Sequence, residues 1–233
     1  MPPDTYATIS IISLICLIPT IYGQAYKECD ATTYYNCQLD LNTKLNIQDN
    51  QPWYNTEYFR AQIETYYQTQ GPDGMRKVCR AIREFKQCMG GNYTTCINAA
   101  FFVSVAASTL QAYQLTSLFN QMHFVCGAGM QIYLANENCM STTWKPNVGG
   151  DQLNACRYQW ERRSDVDPDQ AAYQPCTEAN SLLTCFENQF SNNCGIQARD
   201  TQFWGCEYAR VNVFTRFPQC NIKCVLPYAG GIG

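Results

Sequence analysis

The sequence predicts an all-α fold, a disulfide-rich compact bundle of about six to eight short helices organised as two related halves. Three observations carry this. Cysteine is dense, at 15 in 233 residues, and its spacing repeats. Apolar residues, 46% of the chain, recur at helical steps of three and four. Alternating strand patterns are scarce, the best being the short "VNVF" at 211–214, which sits in a helical context.

At the N-terminus, "ISIISLICLIPT" (9–20) has the length of a secretory h-region, and small residues follow at Gly23 and Ala25. We read 1–23 as a signal peptide and 24–233 as the mature domain; cleavage after Ala25 fits equally. Asp4 replaces the usual basic flank. A transmembrane anchor needs about 18 or more apolar residues, and Pro19 interrupts this run. Cys16 would leave with the leader. Cys29, Cys37, Cys79, Cys88, Cys96, Cys126, Cys139, Cys156, Cys176, Cys185, Cys194, Cys206, Cys220 and Cys224 would remain. That even set predicts seven disulfides in a secreted, extracellular protein. Zinc or an iron–sulfur cluster would want closer cysteine pairs than Cys220 and Cys224 in "CNIKC", so no metal or cofactor is expected.

Along the mature chain, "WYNTEYFRAQIETYYQTQ" (53–70) carries Tyr58, Phe59, Ile63 and Tyr66 near helical spacing, and Gly71-Pro72-Asp73-Gly74 predicts its stop. Val78, Ile82 and Phe85 mark a face of the next helix, over 75–89. The most apolar stretch, 96–119, places Ile97, Phe101 and Val105 at steps of four, which predicts one buried core helix. "WKPNVGG" (144–150) and "SDVDPDQ" (164–170) read as connectors, and "LPYAGGIG" as a loose terminus.

In a helix, nine residues turn the chain through about 900°, so Cys79 and Cys88 point to opposite faces. Disulfide Cα atoms lie within about 7 Å, so each must reach a different neighbour. The frame Cys79, Phe85, Cys88 returns as Cys176, Leu182, Cys185. Further cysteines come in the same order, giving two six-cysteine frames within 76–156 and 173–224 that suggest a duplication. Most disulfides are expected within each frame, with Cys29 and Cys37 paired together or clamping the N-terminal arm.

"FVCGAGMQIYLANENC" (124–139) and "ANSLLTCFENQFSNNCG" (179–195) resemble the secreted cysteine-rich helical domains of unknown function found in invertebrates. The insect twenty-seven-kilodalton haemolymph glycoproteins and a related nematode cysteine-rich family are among them. The resemblance spans residues 75–220 and rests on cysteine and aromatic positions; Cys29, Cys37 and the closing "CNIKC" lie apart from it. It implies secretion, helices and disulfides, and offers no catalytic residue to carry over.

Chemistry is thin. "FNQMHFVC" places His123 and Cys126 as a phospholipase A2 helix would, but Phe119 and Asn120 stand where its cysteine pair belongs. Phe124 replaces the calcium-binding Asp, so His123 reads as a partly buried structural residue. "DVDPD" (165–169) begins like a calcium loop, yet Gln170 and Cys176 occupy the positions that need Gly and Glu. No nucleophile elbow, zinc-protease helix, phosphate loop or dinucleotide fingerprint occurs, so no enzyme is expected. A net charge of −3 argues against a nucleic-acid partner. "NYT" makes Asn92 a candidate glycosylation site in a turn.

Two function classes remain. One is a non-enzymatic binding or carrier protein for an extracellular protein or a small apolar ligand, with Phe101, Phe102, Val103 and Val105 as a candidate wall. The other is an extracellular structural, matrix or mucus protein acting through the Tyr-rich face of 53–70.

Overall fold

A computed structural model describes residues 28–48, 55–105, 108–164 and 174–225. All regular structure there is helical: α1 (Ala31–Lys44), α2 (Thr56–Met89), a short 3-10 turn (Gly90–Asn92), α3 (Tyr93–Cys96), α4 (Ala99–Val105), α5 (Thr109–Cys126), α6 (Ala128–Ala135), α7 (Glu137–Thr143), α8 (Gly150–Ser164), α9 (Pro175–Cys194) and α10 (Arg199–Arg216). The predicted leader, the "DVDPD" segment and the "LPYAGGIG" tail lie outside the described residues. The all-α prediction holds, but the helical segments are more numerous than expected because the predicted apolar helix is interrupted and the short helices α3, α6 and α7 occupy connecting stretches.

Local chemistry sets these boundaries. Asp30 caps α1 by accepting from the backbone N–H groups of Thr32 and Thr33, and Asn55 caps α2 through Tyr58 N–H. The Gly71-Pro72 signal kinks α2 instead of ending it. Gly71 takes φ 52°, a left-handed value open to glycine, and Pro72 then starts the second limb without needing a donor N–H. The apolar stretch 96–119 is two helices, α4 and α5, with Ser108 capping α5 by accepting from Gln111 N–H. "VNVF" lies inside α10: Val213 is buried, whereas Phe214 is exposed. Tertiary packing thus overrides the local β-preference of two valines.

The disulfides correct the assignment of frames. Cys29–Cys96 and Cys37–Cys88 clamp the N-terminal arm, and Cys29 and Cys37 do not pair together. Only Cys79–Cys126, Cys176–Cys220 and Cys206–Cys224 close within the predicted frames. Cys139–Cys194 and Cys156–Cys185 cross between them, because Cys139 and Cys156 ride on α7 and α8, which pack on α9. The boundary therefore falls between Cys126 and Cys139. Counted from there, and with the extra pair Cys206 and Cys224 left out of the count, each half bonds its first cysteine to its fifth, its second to its fourth and its third to its sixth. In the first half these are Cys29–Cys96, Cys37–Cys88 and Cys79–Cys126; in the second they are Cys139–Cys194, Cys156–Cys185 and Cys176–Cys220. Cys206–Cys224 is an addition to the second half.

Each half is built on three main helices: α1, α2 and α5, then α8, α9 and α10. Cys79 and Cys88 reach α5 and α1 respectively, so α2 is stapled on two sides. The frame residues Phe85 and Leu182 are buried at matching places. The halves join where α5 lies against α10. A first aromatic cluster surrounds Phe119, with Phe59, Phe85 and Phe102 in ring contact. A second surrounds Trp204, which stacks on Tyr208 at 5.3 Å and meets Trp144 and Phe190.

Candidate functional site

An open groove of about 700 Å³ runs along the seam of the halves. Its floor and walls come from Phe124 on α5, Val211 and Phe214 on α10, Ile97 between α3 and α4, and Pro218 after α10. Asn120, Thr116 and Thr215 add neutral polar groups, and Asn120 donates to Thr215 Oγ1 at 3.0 Å. The helical period explains how α10 serves two masters: Val213 and Tyr208 turn into the core, while Glu207, Arg210, Val211 and Phe214 turn to the groove. Phe214 is 53% exposed, an unusual placement for a large apolar ring.

Charge in the groove is partly cancelled. Arg210 grips Glu207 with two bonds, Nε to Oε2 at 2.7 Å and Nη2 to Oε1 at 2.5 Å. His123 sits on the side of α5 that faces the groove, its ring largely open but in part covered. Its Nδ1 lies 2.7 Å from Lys86 Nζ, an arrangement in which the neutral ring accepts from the ammonium. Partial burial and the neighbouring Lys86 charge both hold the His123 pKa below its ordinary value. Partial burial likewise lowers that of Lys86, whose Nζ also lies 5.1 Å from the centre of the Tyr93 ring. A smaller depression of about 180 Å³, containing Lys86 and Arg83, shares His123 and Gly127 with the main groove.

The predicted wall is elsewhere. Phe102 is sealed in the first aromatic cluster, Val103 faces outward at 47% exposure, and Phe101 and Val105 line a separate depression of about 450 Å³ beside Cys29. Asn92 closes the 3-10 turn after α2 and is half-buried, with its Oδ1 enclosed. Sequence reading missed Val211 and Phe214 because two valines in "VNVF" suggested a strand. It also missed a cationic helix face. Arg76, Lys77, Arg80, Arg83 and Lys86 recur at three- and four-residue steps on α2, a pattern that a search for consecutive basic residues overlooks.

A second polar cluster lies under α2 and α8. Fully buried Arg60 donates through Nη1 to Gln121 Oε1 at 2.7 Å, and its Nε faces Glu57 Oε1 at 3.6 Å. Arg157 reaches Glu57 Oε2 at 2.6 Å, Tyr208 donates to Glu64 at 3.3 Å, and Gln114 donates to Glu161 at 2.9 Å. Burial works against ionisation of Glu57, but Arg60 and Arg157 outweigh it and hold its pKa low. Burial and the Glu57 charge push Glu161 the other way. Two unlike carboxyl groups in hydrogen-bond contact could serve acid–base chemistry. The void beside Glu161, however, is only about 20 Å³, too small for a substrate. The cluster instead ties α2, α5, α8 and α10 together.

Among the described residues, no group of three His, Cys, Asp or Glu gathers to hold a metal ion, and no helix is long and apolar enough to cross a membrane. No family model, curated protein or solved structure matches this chain.

Proposed function

We propose that this is a secreted, non-enzymatic binding or carrier protein that holds a small, largely apolar ligand in the α5–α10 groove. The observation that carries the reading is the groove itself: its volume of about 700 Å³ lies within the range of small-molecule sites, roughly 300–1,000 Å³. Its walls are stiffened from both sides, since Cys79–Cys126 anchors the end of α5 and Cys206–Cys224 ties α10 to the segment after it. A preformed site of this kind binds with little ordering cost. Seven disulfides suit an oxidising extracellular compartment, and the resemblance to invertebrate secreted domains points the same way.

The matrix alternative rests on a Tyr-rich outer face. In α2, however, Tyr66 and Tyr67 are buried, and Tyr66 Oη donates to Leu45 O at 2.9 Å. Native mass spectrometry of the protein isolated from its own secretion tests the choice. The carrier reading expects a monomer bearing a removable small-molecule mass; a ligand-free assembly of several chains overturns it. The same spectrum reads the leader cleavage point and a glycan on Asn92, both expected here.

A further inference from the structure

Resting on the carrier reading, we propose that the ligand is an anionic amphiphile, with its hydrocarbon part along Phe124, Val211 and Phe214 and its acid group at Lys86. Charge complementarity carries this step. Lys44, Arg157 and Arg210, which face neighbouring helices or the groove, each have carboxylate partners: Asp40 and Glu84, Glu57, and Glu207 respectively. Lys86 has no such partner. Its contacts are a neutral imidazole and the Tyr93 ring face, and among the described residues no carboxylate comes within ion-pair distance of it or of Arg83.

A half-buried ammonium against a ring face and an imidazole has lost part of its hydration without gaining a counter-charge, so an anion arriving there restores what burial removed. Glu207, the acid that lines the groove, is engaged on both oxygens by Arg210. His123 and Gly127 border both depressions, so a chain lying in the large one delivers its head group to the small one without crossing a ridge of the fold. The cationic row continues outward through Arg83 and Arg80 on the same helix, which favours the approach of anions over cations. Phe214 stands exposed on the groove wall, so a longer hydrocarbon chain can extend over it.

The test compares laurate with lauryl alcohol by calorimetric titration into the delipidated full-length mature protein, the Lys86→Gln variant and the Arg83→Gln variant. Laurate should bind the unaltered protein about tenfold more tightly than the alcohol, the scale of one charge-assisted contact. Lys86→Gln should erase that preference while leaving the alcohol unchanged, which also shows that the variant is folded. Arg83→Gln should reduce the preference only in part. Alcohol and laurate binding equally to the unaltered protein would overturn the anionic head group and leave the carrier reading standing. Binding of neither would overturn both.

Discussion

The two halves of this molecule share one disulfide order and differ in the path of the chain beyond the fifth cysteine. In the second half the chain passes from Cys194 to α10 through a single turn at Gly195. In the first, the path from Cys96 to α5 detours through α4. Three residues before the sixth cysteine the contrast is chemical. The first half places His123 there, open to the groove, and the second places Phe217, whose ring packs edge-on against Trp160 at 5.7 Å. The groove therefore forms where the repeat is broken: one wall is the junction into α4 and the other is α10 with Pro218. Shared bonds hold the framework, and the unequal parts make the site.

The largest effects should come from cutting matched bonds. Cys37–Cys88 spans 51 residues and Cys156–Cys185 spans 29. Replacing either pair by alanines should cost about 3–4 kcal/mol, with the longer loop slightly costlier on chain-entropy grounds. Guanidinium unfolding measures the loss, and hydrogen exchange locates it. Loss of Cys37–Cys88 should raise exchange chiefly in α1, and loss of Cys156–Cys185 chiefly in α8. Equal loosening of both helices by either change would break the comparison, since the halves would then not be stability units.

How much of this is legible in the sequence depends on the range of each signal. The all-α class and the opposed directions of Cys79 and Cys88 depend on helical period alone, which a linear chain displays. The equivalence of Phe85 and Leu182 is visible for the same reason. The repeat boundary is not legible, because Cys29 and Cys37 stand eight residues apart whereas their counterparts Cys139 and Cys156 stand seventeen apart. Only the packing of α7 and α8 on α9 reveals that Cys139 and Cys156 are their counterparts. The groove is hidden more deeply: its residues come from α5, α10 and two loops, and no local pattern says which face of α10 lacks a cover. His123 stands out in the sequence for the wrong reason, as a failed catalytic base rather than as a rim residue.

A smaller effect separates the helix contacts of the halves. α10 approaches α9 closely at Gly205, where an added Cβ would sit 2.5 Å from the Phe190 ring and 2.9 Å from Phe186 O. α5 has no glycine with which to meet α2. Gly205→Ala should therefore destabilise by about 1–3 kcal/mol through overpacking, despite better helix propensity. Thermal unfolding of the variant checks it, and an unchanged or raised midpoint would show that α9 and α10 can separate without loss.

The smallest effect is the most specific to the open half, because His123 is the chain's only histidine and titrates alone. Partial burial and Lys86 lower its pKa in the folded protein relative to an ordinary value of about 6.5. Between the two values the unfolded chain binds the extra proton, so stability falls as pH drops through the ordinary value and levels off below the folded one. His123→Gln should remove that slope. Lys86→Gln should raise the His123 pKa, read from its ring proton resonances, since a neighbouring positive charge has gone. A carboxylate ligand should raise it too, by placing a negative charge beside Lys86, whereas a neutral alcohol should lower it by excluding water. Opposite shifts from two ligands of equal chain length would place the acid group at this end of the groove. A downward shift with both would place it elsewhere, and the difference between His123 and Phe217 would then concern packing alone.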